Sequence, residues 1–385
     1  MKRVLVLPLF QMESGHHRTA DALIEAFSHQ DPSTMCEKVD ILDYASSSLE
    51  KFISQLYVNW ITAFPSAYSW LYSSFFQKNK SLLHSIYETL FLEKMEQLIR
   101  EKQPDVIICT HSFPSFLADK LKRYGMITAP VVNVYTDFFL NGVWGRDHID
   151  MHIVSTAGMK QHLIEAGTDP ASVKVSGIVT NDQYKKRKPE AEDGTLHILV
   201  SGGSLGLGDS LQSLLKTTAS SKIKYKILCG HNQELLQQIM DLGRPNMTGI
   251  SYITEAEQMN RLYNWADALI TKPGGITVGE AIKKSLPVFV HSVLPGQEEK
   301  NMEYLETEGL ARRLDPKRPI DQQLLSALKD EKLQFLMKKA RYHFLKNIEI
   351  PSCRELADTI AESCLTDDPN VRFLDDAFLK VYQNL

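Results

Sequence analysis

The stretch TKPGGITVGE, Thr271 to Glu280, with its sequel PGQEEKN, Pro295 to Asn301, decides how this chain reads. Before it stands ADALI (266–270), a short apolar run bounded by turn residues, which predicts a buried parallel strand. Pro273, Gly274 and Gly275 break that strand, and ITVGEAIKKS (276–285) predicts a helix. Strand, glycine turn and helix leave backbone N–H groups aimed at one point, with the positive end of the helix dipole behind them. That is an anion site suited to phosphate. Lys272 adds a mobile positive charge beside it. Glu280 lies three residues after Thr277, so both share one helix face near its start. A carboxylate there is suited to accept hydrogen bonds from vicinal hydroxyls such as a ribose offers. Diphosphate plus ribose implies a nucleotide.

Upstream, LHILVSGGSLGLGDSLQSLL (196–215) has the same grammar of apolar strand, glycine loop and helix. Ser201, Gly202, Gly203 and Ser204 form its loop, which lacks the downstream spacing of a dinucleotide fingerprint; no Walker Gly-Lys-Ser/Thr occurs. The amino-terminal half opens with an apolar strand (3–10), the loop QMESGHHR containing Gly15 and His16, and a helix from about Thr19 to His29. A histidine at the carboxyl end of a parallel strand stands where such sheets bind ligands. His16 therefore reads either as a ligand contact or general base, or as a helix cap. Strands at 105–110 and 131–135 follow, the first leading into His111-Ser112 and the second into Thr136-Asp137-Phe138. Asp137 is a candidate base, with a turn or helix-cap role as the alternative. KKRKPEAEDG within 181–194 reads as a domain linker, because acids follow its basic run directly.

Length and composition bound the rest. A chain of 385 residues accommodates two ordinary domains, and 43% hydrophobic with 23% charged residues is globular composition. A net charge of −4 argues against a nucleic-acid partner driven by bulk charge. Five scattered cysteines without metal-ligand spacing read as free thiols in a reducing cytoplasm. The apolar start is interrupted by Pro8 and reads as a strand, not a signal peptide. No apolar run is long enough to span a membrane. Twelve aromatic residues fall between Tyr44 and Phe91, and from Lys51 to Tyr87 there are lysines but no Asp or Glu. That combination suits the headgroup layer of an anionic membrane, with core packing as the alternative.

The motifs resemble glycosyltransferase family 28, and KPGGIT…E with PGQE…N is closer to its diacylglycerol glucosyltransferase and monogalactosyldiacylglycerol synthase branch. The resemblance spans roughly residues 1–345. It implies an α/β fold of two Rossmann-like domains facing across a cleft, the GT-B arrangement: an acceptor and membrane-binding domain at 1–180, a UDP-sugar domain at 195–345, and helices at 346–385 packing back toward the first domain. It implies that Gly275, Ile276 and Thr277 line the diphosphate with Gly274 and Lys272, and that Glu280 binds the ribose. Gln297 and Glu298 would touch the donor sugar, with Asn301 close by. Ser201–Ser204 would face the diphosphate from across the cleft, and Tyr252-Ile253 would hold the uracil. Gly15 and His16 stand for the first glycine-rich loop, and Thr136-Asp137-Phe138 matches the TDF segment. Two departures stand out: Asn141 occupies the place of a family histidine, and Val179 that of a proline.

The activity implied is inverting transfer of a hexose from UDP-glucose or UDP-galactose to diacylglycerol or a related lipid, with Asp137 and His16 as catalytic residues. The enzyme would work as a peripheral protein on the inner face of the cell membrane. No Asp-x-Asp triplet occurs, so no metal or other cofactor is expected. The rival readings are a nucleotide-sugar-binding protein with little catalysis, and a UDP-sugar transferase or epimerase with a soluble substrate.

Overall fold

The computed structural model describes residues 2–9, 15–45, 82–185, 194–202 and 222–365. Gly203, Ser204 and residues 51–81 of the aromatic segment lie outside them.

The first half builds a six-stranded parallel sheet from β1 (Arg3–Leu7), β2 (Met35–Lys38), β3 (Val106–Cys109), β4 (Val131–Val134), β5 (Met151–Val154) and β6 (Val173–Val175). Its order is β2-β1-β3-β4-β5-β6. Between the strands run α1 (Gly15–Gln30), α2 (Ile41–Ala45), α3 (Leu82–Lys102), α4 (Ser112–Arg123) and α5 (Ala157–Glu165). The second half repeats the plan with β7 (Leu196–Ser201), β8 (Ile223–Leu228), α6 (Gln233–Asp241), β9 (Met247–Ile250), α7 (Ala256–Trp265), β10 (Ala268–Thr271), α8 (Gly275–Lys283), β11 (Val288–Val290), α9 (Gln297–Thr307) and β12 (Ala311–Arg313). Its order is β12-β11-β10-β7-β8-β9, again parallel throughout. Three helices close the described chain: α10 (Ile320–Lys329), α11 (Glu331–Lys346) and α12 (Cys353–Cys364).

Every residue of β3, β4, β5, β10 and β11 is buried, as helices on both faces of a parallel sheet require. The strand order reverses between β1 and β3 in one sheet and between β7 and β10 in the other. Ligands of doubly wound sheets bind at such switch points, outside the carboxyl ends of the strands. Thr271 ends β10 in register with Ser201 at the end of β7, so the two glycine turns leave the sheet side by side.

The halves are joined by packing as well as by chain. Phe138, Ile178 and Tyr184 belong to the hydrophobic core of the second sheet, and α12 buries Cys353, Leu356, Ala357 and Ile360 in the core of the first, against α1. Gly177 shows why the crossing excludes a side chain: its φ is 69°, and a Cβ there would stand 2.9 Å from Ile348. The linker then anchors the return helix, because the Asp182 carboxylate accepts from the amides of Cys353 (2.7 Å) and Arg354 (3.1 Å), and Ser352 caps Glu355 N–H at 3.1 Å. All five cysteines are free. Among the described residues no helix is long and apolar enough to cross a membrane.

Candidate active site

In the second half, α8 starts directly against the first. Gly274 is its N-cap and offers no side chain to the helix amides. Gly275 follows so tightly that a Cβ would fall 1.8 Å from the Thr136 carbonyl oxygen, so the position admits glycine alone. Ile276 is buried and faces Gly15, where an added Cβ would lie 2.5 Å from its Cγ1. Lys272 and Thr277 are partly exposed, and the Lys272 charge bears on His291 and Glu298. Ser201 ends β7 at 5% exposure, with Gly202 next to it.

Glu280 lies deeper than its place on an amphipathic helix suggests. It is 2% exposed, accepts a 2.6 Å hydrogen bond from the Tyr263 hydroxyl, and stands 3.9 Å from the Arg18 guanidinium of α1. Burial raises its carboxyl pKa, while Arg18 and the Tyr263 hydrogen bond pull it down. Two protein groups, the Tyr263 hydroxyl and the Arg18 guanidinium, thus engage the Glu280 carboxylate. The Arg18 charge also bears on Tyr263, Tyr252 and Tyr184, so the guanidinium reaches across the seam into the second lobe. Tyr252 follows β9 and stacks on His231, ring centroids 4.1 Å apart; Ile253 beside it is 6% exposed.

The loop before α9 folds back on itself. Gly296 has φ 100°, a conformation that favours glycine. Glu298 accepts from Leu294 N–H at 2.7 Å, and Glu299 accepts from Gly296 N–H at 3.0 Å. Gln297 opens α9, partly exposed. Asn301, one turn on, is 2% exposed and points across the seam rather than along it. Its Nδ2 donates to Asp137 Oδ1 at 2.8 Å, and its Oδ1 accepts from Phe138 N–H at 2.9 Å.

In the first half, α1 begins at Gly15, four residues before the expected start, so His16 lies in its first turn instead of on a loop. Nothing between Gly15 and Thr19 opposes helix, and Thr110 rewards the early start. His16 Nδ1 is 2.9 Å from the Thr110 carbonyl oxygen and 3.0 Å from Thr136 Oγ1. A carbonyl only accepts, so Nδ1 carries the hydrogen and Nε2 the lone pair. Burial lowers the His16 pKa to about 4, partly offset by the Thr110 bond, which keeps the ring neutral near pH 7. His111 packs against it edge to face at 4.7 Å and spends its own Nδ1 as an acceptor for Phe113 N–H, capping α4.

Asp137 follows Thr136 at the carboxyl end of β4. Its backbone carbonyl accepts from Ser155 Oγ at 2.6 Å. Burial raises its carboxyl above the usual range, and the Asn301 hydrogen bond opposes the rise. Asn141 has become a turn residue: 8% exposed, its Oδ1 accepts from Val143 N–H at 3.0 Å and its carbonyl from Arg146 at 2.9 Å. An amide so engaged, without a basic nitrogen, does not replace an imidazole.

The structure thus gathers Gly15, His16 and Asp137 from one lobe with Gly274, Gly275, Ile276, Glu280 and Asn301 from the other along a single seam. Arg18 and Tyr263 were missed by spacing alone. Arg18 carries the one available signal, a basic residue in the first turn of a helix that follows a candidate ligand histidine.

Known proteins converge on the same picture. The model of the monogalactosyldiacylglycerol (MGDG) synthase family matches residues 16–180. An uncharacterized glycosyltransferase of Bacillus subtilis, YkoN, is 39% identical over 320 residues, covering 80% of this chain and 83% of that protein. A processive diacylglycerol beta-glucosyltransferase of Bacillus licheniformis is 30% identical over 290 residues, 72% of this chain and 74% of the relative. The crystal structure of Acinetobacter baumannii MurG superposes with a TM-score of 0.61 over 94% of this chain and 100% of its own, at 18% identity, a likeness of fold. Two parallel Rossmann-like lobes and these relatives together establish a glycosyltransferase of GT-B fold, and the chain belongs to the family of the monogalactosyldiacylglycerol synthases and processive diacylglycerol glucosyltransferases.

Proposed function

We propose that this glycosyltransferase moves a hexose from UDP-glucose or UDP-galactose to the free hydroxyl of diacylglycerol or a related membrane lipid, inverting the anomeric centre. The observation that carries the proposal is the meeting of the α8 amino terminus with Thr136-Asp137 at the seam between the lobes. In this reading the diphosphate lies on the amides at Gly275, Ile276 and Thr277, with Lys272 beside it and Gly202 alongside on the neighbouring strand of the same lobe, not across the cleft as the resemblance implies; Gly203 and Ser204 lie outside the described residues. Tyr252 and Ile253 take the base, and Gln297 and Glu298 the hexose. Ribose hydroxyls take over Glu280 from Arg18 and Tyr263.

The acceptor oxygen attacks the anomeric carbon from the face opposite the diphosphate. Asp137 takes the hydroxyl proton as the new C–O bond forms. The bond from the anomeric carbon to the phosphate oxygen breaks, and its electron pair leaves with UDP. Helix amides and Lys272 stabilise that charge, a role that needs no divalent ion. His16, neutral and with its Nε2 lone pair available, is a second acceptor for the lipid hydroxyl. The surface from Lys51 to Tyr87, almost all outside the described residues, is proposed to meet the anionic inner face of the cell membrane.

Asn141 favours one rival, a UDP-sugar-binding protein with little turnover, since it removes a histidine that the resemblance leads one to expect. UDP release in lipid–detergent micelles separates the two. Release that depends on both UDP-hexose and diacylglycerol supports transfer, whereas tight UDP-sugar binding with no release supports the rival. Co-sedimentation with anionic liposomes tests the membrane surface.

A further inference from the structure

Asn301 sits one turn into α9, the helix that opens with Gln297 and Glu298, yet its side chain is spent on the opposite lobe. The amide orientation is fixed by chemistry. Phe138 N–H only donates, so Oδ1 faces it and Nδ2 faces Asp137. A flipped amide would set N–H against N–H and oxygen against carboxylate. Segment 137–138 is held from its own lobe by Ser155 Oγ on the Asp137 carbonyl at 2.6 Å, and from the other by Asn301 at 2.8 and 2.9 Å. Phe138 then stacks on Tyr304, three residues after Asn301, with centroids 5.6 Å apart and planes 9° from parallel.

We infer that Asn301 is a positioning residue that orients the Asp137 carboxylate across the lobe seam, so that the base is set only when the donor-sugar helix is docked. The inference rests on the reading of Asp137 as the base. It gives Asn301 a task other than the donor-sugar contact that its place after PGQEE suggests. Glu298, one turn before Asn301, and Asn301 itself then report on the sugar and on the base from the same helix. An N–H donor on Asp137 Oδ1 favours the ionised carboxylate, the form that takes a proton. Among the described residues, the other titratable or charged groups around the segment are Tyr304, stacked on Phe138, His16, reached through Thr136 Oγ1, and Lys300 over the Phe139 ring.

Two substitutions separate positioning from sugar contact. Asn301→Ala removes both bonds. Asn301→Asp keeps an acceptor for Phe138 N–H but removes the donor to Asp137 and sets a second carboxylate beside it. With the full chain, UDP-glucose or UDP-galactose and diacylglycerol micelles, both variants are expected to lower kcat by about tenfold to a hundredfold. KM for the UDP-sugar and calorimetric UDP binding stay within about twofold of the parent, because uniform binding is untouched. In Asn301→Asp the acid limb of the kcat profile moves to higher pH, since like charges raise a carboxyl pKa. A raised KM with kcat and pH limb unchanged would overturn the inference in favour of sugar contact, as would parental activity. Loss of UDP binding and of a cooperative melt in Asn301→Asp would also overturn it, by making Asn301 a folding residue. Asp137→Asn is run alongside: if it turns over like the parent, or if the parent releases no UDP, the reading of Asp137 fails, independently of Asn301.

Discussion

Arg18 in the first lobe and Glu280 in the second form an ion pair at 3.9 Å across the seam, one partner 37% exposed and the other 2%. The guanidinium offers the carboxylate what ribose hydroxyls would offer, N–H donors in place of O–H donors. Under the proposed function the pair is a competitor that the nucleotide must displace. Arg18→Gln should therefore tighten UDP binding. A partly exposed pair is worth about 1 kcal/mol or less, so the gain is roughly two- to fivefold in Kd. Calorimetry of UDP against parent and variant measures it, and weaker binding would instead make Arg18 a direct ligand of the donor.

Gly275 should tolerate nothing larger. A Cβ 1.8 Å from the Thr136 carbonyl oxygen meets backbone, which cannot rotate away. Gly275→Ala is expected to cost about 1–3 kcal/mol of stability or to part the lobes at this contact, the usual range for overpacking. Thermal melting reads the first outcome and small-angle scattering the second. A variant with parental melting temperature and radius of gyration would contradict the close approach.

These two relationships mark where the sequence stops being legible. The β10–α8 turn is readable because an apolar run, two glycines and a helical pattern are local signals, and both parallel sheets follow from repeating that pattern. Glu280 is legible as a carboxylate on the helix after the glycine turn, where it stands in the second turn of α8, but its partners Arg18 and Tyr263 come from α1 and α7, which no local period connects. Asn301 is legible as a neighbour of PGQEE, while its bonds to Asp137 and Phe138 span more than 160 positions. α1 starts earlier than its local pattern implies because the tertiary bond from His16 to Thr110, absent from any propensity, holds the first turn.

Acid should destabilise the fold through buried histidines. Burial depresses the pKa of His16, His152 and His291 to about 4 from 6.5. A group depressed in the folded state binds its proton more readily when unfolded. Stability is therefore whole above about pH 6.5 and falls as the pH drops toward 4, by up to about 3 kcal/mol per histidine. Denaturant midpoints between pH 7.5 and 4.5 test this. His152→Met, in the core of the first sheet and away from the seam residues, should flatten the slope; an unchanged slope would contradict the assignment.

The return helix depends on Asp182 beside its Ser352 cap. Asp182 satisfies two amides at the start of α12 and ties the linker to it. Asp182→Ala should cost about 1–2 kcal/mol, the usual worth of an N-cap, and speed amide exchange at Cys353 and Arg354. Unchanged exchange at those two amides would contradict the role.

In the proposed transfer, Asp137 takes the acceptor's proton while α8 and Lys272 hold the departing diphosphate. Its most direct measurement is UDP release with UDP-hexose and diacylglycerol, in the parent and in Asp137→Asn, beside UDP binding by both. Lipid-dependent release is expected in the parent, with a drop of about 10²- to 10⁴-fold in the variant and UDP binding retained. Full turnover by Asp137→Asn, or no release by the parent with any lipid alcohol, would contradict it.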